Sequence, residues 1–332
     1  MLDVERGARV NGPRAREMRR GAAVASLAAV PGRLTVSNDA VAERLGVTED
    51  WIVKRMGVRE RRVAPPEESV AEMATEAARM ALAEAAVDAS AVDLILVATC
   101  TNEYLFPAVA AIVSAELDAP QAGTADVNAA CNGFVSALGL AAAAIESGRN
   151  DCVLVVGADA LSRWIDPDDR RTAPMFGDGA GAMVLVADDA PGRVGEAILR
   201  TDGSFAHLIS VHHGGFMHME GGETYRQAVK RLVEVTVDVV EAGGLELGDI
   251  DVFVYHQANV RILKAVGERL GVDESAIVNA MASVGNTSAA SIPLALAAAA
   301  EQGKLVPGAR VVVAGIGGGL AYGAVVLEWG AA

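Results

Sequence analysis

The chain has 332 residues, 52% of them apolar but only 4% aromatic, enough for a large core as one big domain or two similar halves packed through small side chains. Its 43 acidic residues against 28 basic ones leave a net charge of −15, which excludes bulk electrostatic attachment to nucleic acid or an anionic membrane. No apolar run reaches the roughly 18 charge-free residues of a membrane span, and three cysteines without framework spacing predict a reducing, cytoplasmic setting rather than disulfides.

Residues 1–21 are Arg-rich without an apolar signal core, which predicts a disordered N-terminal extension or a start codon set too early. A first strand is predicted over 22–29, and short helices follow at 38–45 and from Thr48 to near Gly57. Residues 59–63 form a basic stretch, 69–85 an amphipathic helix, 92–99 a strand, 101–107 a loop and 108–117 a helix. An apolar strand at 124–127 then turns sharply through Cys131 into a small-residue helix over 134–147. A helix N-terminus favours a thiolate over a thiol, so Cys131 is a candidate nucleophile, set against the ordinary free cysteine that packs as a small hydrophobe. Residues 152–157 predict a strand, and the glycines at 177–181 a turn into a further strand at 182–186.

The pattern repeats. The strand starting near Asp93 resembles the one starting near Asp251, and the Ala141–144 helix with its following strand resembles the Ala297–300 helix with the strand at 310–315, each offset by roughly 156 to 158 residues. Such units imply parallel strand pairing and a duplication, with ligands gathering beyond the strand C-terminal ends. His256 stands at such an end. The turn at Asn286, opening the second small-residue helix, mirrors the turn at Cys131. Cys131, His256 and Asn286 are therefore expected in one pocket, alongside a glycine-rich backbone at Gly315-Ile316-Gly317-Gly318-Gly319.

Six segments in order resemble the β-ketoacyl-ACP synthase III family: Trp51-Ile52-Val53-Lys54-Arg55-Met56-Gly57-Val58-Arg59-Glu60-Arg61-Arg62, Ala129-Ala130-Cys131-Asn132-Gly133-Phe134, Phe176-Gly177-Asp178-Gly179-Ala180-Gly181-Ala182, His256-Gln257-Ala258-Asn259-Val260-Arg261-Ile262, Gly285-Asn286-Thr287-Ser288-Ala289-Ala290-Ser291 and Gly315-Ile316-Gly317-Gly318-Gly319. The resemblance spans about residues 22–330. It implies an α/β, thiolase-like fold of two duplicated βαβαβ halves in an α-β-α-β-α arrangement. The N-terminal half (22–190) would carry the nucleophile and the C-terminal half (191–332) the His and Asn.

By this resemblance Cys131 is acylated by a short acyl-CoA, and His256 and Asn286 stabilise the enolate formed as malonyl-ACP loses CO₂. The N–H groups of Cys131 and Gly318 form the oxyanion hole. Trp51 and Arg170 sandwich the CoA adenine, Arg55 lies near its phosphates and Asn259 touches the pantetheine arm. Phe106 crosses a homodimer interface to floor the partner's acyl pocket, which Met175, Phe176, Met219 and Ile316 also line. Arg226, Lys230 and Arg231 on one helix, with Arg261, Lys264 and Arg269 on another, offer local positive charge to an acidic acyl carrier protein. Surface arginines and scattered charge are the plainer alternatives. Neither metal nor redox cofactor is implied, only acyl-CoA and malonyl-ACP as substrates.

The chain also departs from the family: Ile316 stands where Phe is usual, Gly222 for Asn, Tyr322 for Trp and Asn132 for Ala. The segment 201–219 is short and holds His207, His212, His213 and His218; without a carboxylate or cysteine at ligand spacing they read as surface or lid residues rather than metal ligands. These departures leave the substrate open between fatty-acid initiation and polyketide priming and favour the latter. Plain transfer of the acyl group to another nucleophile is the alternative activity. A non-catalytic partner subunit would lack the cysteine.

Overall fold

A computed structural model describes residues 21–188 and 193–330. Residues 1–20 of the expected extension lie outside the described residues, while Gly21 already begins the first strand.

Strands β1 (Gly21–Pro31), β2 (Leu34–Ser37), β3 (Glu60–Val63), β4 (Leu94–Ala98), β5 (Gly123–Val127), β6 (Cys152–Ala160) and β7 (Asp178–Asp188) belong to the first half. With them go helices α1 (Asn38–Leu45), α2 (Glu49–Met56), α3 (Val70–Glu84), α4 (Val109–Glu116) and α5 (Gly133–Glu146). The second half contains β8 (Val194–Thr201), β9 (Ile209–Ser210), β10 (His218–Met219), β11 (Val252–Tyr255), β12 (Arg310–Gly317) and β13 (Ala321–Glu328). Its helices are α6 (Gly221–Ala242), α7 (Val260–Leu270), α8 (Met281–Val284) and α9 (Ser291–Glu301).

Two main sheets result, in the orders β1-β7-β6-β4-β5 and β11-β12-β13-β8. The expected parallel pairing holds for β5-β4-β6 and for β11-β12, but β6-β7, β1-β7, β12-β13 and β13-β8 are antiparallel. The three residues joining β12 to β13 are too few for a crossover, so a hairpin is the only connection they allow.

Strand periodicity explains the layers. In β6, Val153 and Val155 face the same core as Phe134, Leu138 and Ile292, while Leu154 and Val156 face Met73 and Ala77. In β12, Val311 and Val313 share that first core, while Val312 and Ala314 face Leu232 and Leu263. Both strands are buried on both faces. Helices α5 and α9 thus fill the middle, α3 and α4 cover one outer face, and α6 and α7 the other. This is the α-β-α-β-α thiolase-like arrangement.

The duplication is exact to the residue at its centre: Leu94 and Val252, Gly133 and Ser291, and Cys152 and Arg310 begin matching elements 158 positions apart. The same offset relates Ala130 (φ 47°) to Ser288 (φ 51°), both in the left-handed region that side chains seldom occupy. One strained turn therefore precedes each central helix.

Candidate active site

Where the two central helices begin, a cavity of about 820 Å³ opens, with Cys131, His256 and Asn286 all in its wall. Cys131 lies in a single 3-10 turn, Ala130–Asn132, ahead of α5. Strand β12 crosses directly over this turn; a Cβ at Gly317 would stand 2.6 Å from the Cys131 backbone nitrogen and 2.8 Å from the Ala129 carbonyl. Only glycine allows that approach. Gly317 lines the cavity beside Cys131, and at Gly318, the residue expected in the oxyanion hole, a Cβ would stand 3.3 Å from the Ile209 carbonyl oxygen.

Burial pushes the Cys131 thiol up to about 11, against the helix-end field expected to favour the thiolate. The hydroxyl of Ser288 opposes this, 3.4 Å from Sγ, and the Asp159 carboxylate reinforces it. Desolvation is the largest of these effects. Asp159 is fully buried and accepts from Thr99 Oγ1, Thr101 Oγ1, Cys100 N–H and Ala289 N–H. It ties the turn after β4 to the turn before α9. Cys100 lies 3.8 Å from the same Ser288 hydroxyl, and its thiol is raised too, chiefly by burial.

His256 follows β11 directly, and its N–H donates to the Ala314 carbonyl on β12. It is 2% exposed, and burial pushes its pKa down to about 3, so the imidazole is neutral. Nδ1 lies 2.6 Å from Ser291 Oγ. Gln257 beside it has a structural role: Nε2 donates to the Tyr255 and Val278 carbonyls and Oε1 accepts from Ala280 N–H.

Asn286 is pinned from both sides. Its N–H donates to Met175 O and its carbonyl accepts from Gly177 N–H. Its side-chain Oδ1 accepts from Ser288 N–H at 2.9 Å. A backbone N–H can only donate, so the oxygen is fixed inward and the amide NH₂ is the group left for the cavity. The glycine-rich segment read as a turn at 177–181 is largely strand β7, and Asp178 holds it by accepting from Ala64 N–H and from Ser162 N–H and Oγ.

Met175, Phe176, Met219 and Ile316 line the cavity as expected, joined by Ile209, Met217 and Leu320. Phe106, expected to reach the partner's pocket, is 80% exposed on the loop before α4 and is not among the residues lining this chain's own cavity. At the mouth stand Trp51, Arg55, Arg170 and Asn259. The ring of Trp51 is faced by Arg55 at 5.3 Å, while Arg170 Nε donates to Leu45 O, so the expected Trp51–Arg170 sandwich is not preformed. Asn259 caps α7, with Oδ1 accepting from Arg261 N–H and Nδ2 donating to Arg55 O. Its amide is engaged in holding α7 to α2. Of the departures, Ile316 and Gly222 line the cavity, Tyr322 is buried under the Arg231 guanidinium, and Asn132 is buried with Nδ2 on Ser136 Oγ.

Arg226 and Arg261 stand at the cavity mouth, and Lys230 and Lys264 lie exposed one turn along α6 and α7. Arg226 pairs with Glu223, Arg261 stacks on Tyr225, and Lys230 and Lys264 sit 3.8 and 4.0 Å from Glu234 and Glu268. Arg231, grouped with them from its helix position, instead turns inward to Asp202 and Glu234. The side chains of His207, His212, His213 and His218 are exposed, and among the described residues no cluster of His, Cys, Asp or Glu is arranged to hold a metal. Nor is any described helix long and apolar enough to cross a membrane.

Sequence reasoning missed Ser288 and Ser291. They lie three apart at the head of α9 inside a segment whose sequence signal is its asparagine, and the left-handed φ that aims Ser288 at Cys131 has no signal in composition.

Comparison with known proteins agrees with this geometry. Residues 125–203 match the model for 3-oxoacyl-[acyl-carrier-protein (ACP)] synthase III, and residues 240–329 match the model for its C-terminal region. The β-ketoacyl-[acyl-carrier-protein] synthase III of Bordetella petrii is 44% identical over 277 residues, covering 81% of this chain and 84% of that one. The crystal structure of 3-oxoacyl-[acyl-carrier-protein] synthase III from Aquifex aeolicus superposes with a TM-score of 0.91 at 36% identity, over 93% of this chain and 100% of that chain. The priming β-ketosynthase of the R1128 polyketide biosynthetic pathway does so with 0.90 at 36%, over 96% and 99%. The chain belongs to the β-ketoacyl-ACP synthase III family of thiolase-fold condensing enzymes.

Proposed function

We propose that the protein joins a short acyl group, taken from acyl-CoA, to the two-carbon unit of malonyl-ACP, releasing CO₂ and giving 3-oxoacyl-ACP. The observation that carries this is the convergence of one thiol, one neutral imidazole and one oriented amide on a single cavity. Cys131 Sγ attacks the acyl-CoA carbonyl; the C–S bond to CoA breaks, and the thiol proton leaves with CoA. The imidazole of His256, at about 3, is too weak a base to hold that proton. In the second step the malonyl carboxylate leaves as CO₂. N–H donors on His256 and Asn286 then stabilise the enolate oxygen, and the carbanion displaces Cys131 from its thioester. One proton is consumed overall. No group beyond the two substrates enters this scheme.

Plain acyl transfer would need the thiol but would give the two donors no task. Arg226, Lys230, Arg261 and Lys264, at and beside the mouth of an otherwise acidic protein, form the docking surface for the carrier protein. The protein works as a homodimer, in which the exposed loop carrying Tyr104, Leu105 and Phe106 is buried against the partner. The pathway is polyketide priming, supported by the aliphatic Ile316 in the acyl wall and by the likeness to a priming ketosynthase.

The test is intact-protein mass spectrometry with a panel of acyl-CoAs, wild type against Cys131→Ala, followed by malonyl-ACP. The expected result is a Cys131-dependent adduct that malonyl-ACP converts to 3-oxoacyl-ACP. An adduct discharged only by some other acceptor would make the protein an acyltransferase, and no adduct from any donor would remove Cys131 as nucleophile.

A further inference from the structure

The two donors facing malonyl-ACP are useful only if each presents a hydrogen, and a neutral imidazole has a hydrogen on one nitrogen alone. We propose that Ser291 is a positioning residue that locks His256 as the Nε2–H tautomer. The proposal rests on the reading of His256 as an enolate-stabilising donor.

Ser291 is the first residue of α9 and is 1% exposed. Its hydroxyl oxygen lies 2.6 Å from His256 Nδ1 and accepts from the backbone N–H of Gln257 at 3.4 Å. A serine hydroxyl has one hydrogen to give. Among the described residues, His256 Nδ1 is the only acceptor within its reach. Were Nδ1 protonated, the Ser291 oxygen would face two N–H donors while its own hydrogen, buried, met nothing, an arrangement interiors avoid. Nδ1 therefore accepts, and the imidazole hydrogen is on Nε2, toward the cavity that His256 lines. Burial, which keeps the ring neutral, is what makes the tautomer matter: an imidazolium would donate from both nitrogens.

The head of α9 thus orients both donors. Ser288 N–H sets the amide of Asn286 and, three residues on, Ser291 Oγ–H sets the ring of His256. An alanine at 291 leaves Nδ1 free to take the proton, which turns a lone pair of Nε2 onto the developing enolate. Losing one such donor outright elsewhere lowers rates by roughly 10²–10³-fold, whereas a mixed tautomer population loses rate only in proportion to its missing Nε2–H fraction, which sets the expected loss at roughly two- to tenfold.

The experiment separates the two half-reactions in Ser291→Ala, Ser291→Thr and His256→Ala, using acyl-CoA for Cys131 acylation and malonyl-ACP for CO₂ release. It is paired with ¹⁵N–¹H spectra of the histidine-labelled wild-type protein, which report the protonated ring nitrogen directly and need no variant to fold. The expected result is Nε2–H at His256, a decarboxylation loss in Ser291→Ala with acylation changed by less than about threefold, and recovery in Ser291→Thr. A proton on Nδ1 in the wild type, or equal losses in both half-reactions for Ser291→Ala, overturns the proposal. If His256→Ala releases CO₂ at the wild-type rate, the fault lies in the role given to His256. If His256→Ala fails and Ser291→Ala does not, the fault lies with Ser291 alone.

Discussion

Ser288→Ala isolates the first half-reaction. Its hydroxyl is 3.4 Å from Cys131 Sγ and opposes the burial that raises the thiol. Hydrogen bonds to a charged group are worth about 1.5–3 kcal/mol. At this length the lower end applies, or about one further pH unit on the Cys131 pKa. Near neutral pH the thiolate fraction then falls about tenfold. A more basic thiolate is also a better nucleophile, by about threefold per unit. The net expectation is a three- to fourfold slower reaction of Cys131 with a small neutral disulfide such as dipyridyl disulfide, read as the initial rate of labelling of the Cys131 peptide. The Ser288 N–H survives the substitution, so Asn286 keeps its orientation and CO₂ release from malonyl-ACP stays within about twofold. An unchanged or faster labelling rate would refute the hydrogen bond as a thiolate donor, and a matching loss in CO₂ release would refute the separation of roles.

Further outcomes follow from the same geometry. His256 is neutral down to about 3, so CO₂ release from malonyl-ACP is flat from about pH 5 to 8, where an ordinary histidine would titrate; a step near 6.5 contradicts a buried neutral ring. The unfolded ring takes up its proton below about 6.5 while the folded one does not, so this group's contribution to stability is complete above that pH and is lost as the pH falls toward 3. His256→Gln should flatten part of that acid decline in urea midpoints. Gly317→Ala forces a Cβ to within 2.6 Å of Cys131 N; a shift of the nucleophile by about an ångström lowers acylation by about 10²-fold, and an acylation burst of normal rate would show the turn to be pliable. Lys230→Glu with Lys264→Glu replaces two exposed charges whose ion pairs are loose and matter little to the fold. Their expected effect is a severalfold rise in KM for malonyl-ACP at low salt with acyl-CoA unaffected, and an unchanged KM moves the docking surface elsewhere.

The parts legible in sequence are those fixed by periodicity over short range. The central helices, the core strands and the duplication were predictable because their small and branched residues follow the 3.6 and 2 periods that burial demands. The 59–63 stretch was not readable as β3, because Arg61, buried there, looks like surface charge. Only the fold shows its guanidinium donating to the Val36, Ser37 and Pro174 carbonyls and to Asn38 Oδ1, with burial lowering its pKa to about 10. The glycines at 177–181 suggested a turn for a similar reason. Gly181 is a strand residue kept small because a Cβ would meet Pro293 at 2.6 Å, a contact between halves of the chain. The helix-end argument for Cys131 uses a local effect that the sequence displays, whereas the burial that opposes it is a property of the folded whole.

The duplicated turn shows how one local shape acquired two tasks. In both halves a residue in left-handed conformation precedes a buried central helix, at Ala130 and at Ser288. In the first half the next position is Cys131, and the turn presents a nucleophile. In the second half the matching position is Ala289, with no reactive group, and the polar atoms around it face their neighbours instead: Ser288 Oγ to Cys131, Ser288 N–H to Asn286, and Ser291 Oγ to His256. On the proposed mechanism, the first turn supplies the group that carries the acyl chain, and the second fixes the orientation of the groups that act on the incoming malonyl unit. A substitution at 288 should therefore weaken acylation and one at 291 CO₂ release, whereas a substitution at 131 removes the acyl carrier and with it the condensation.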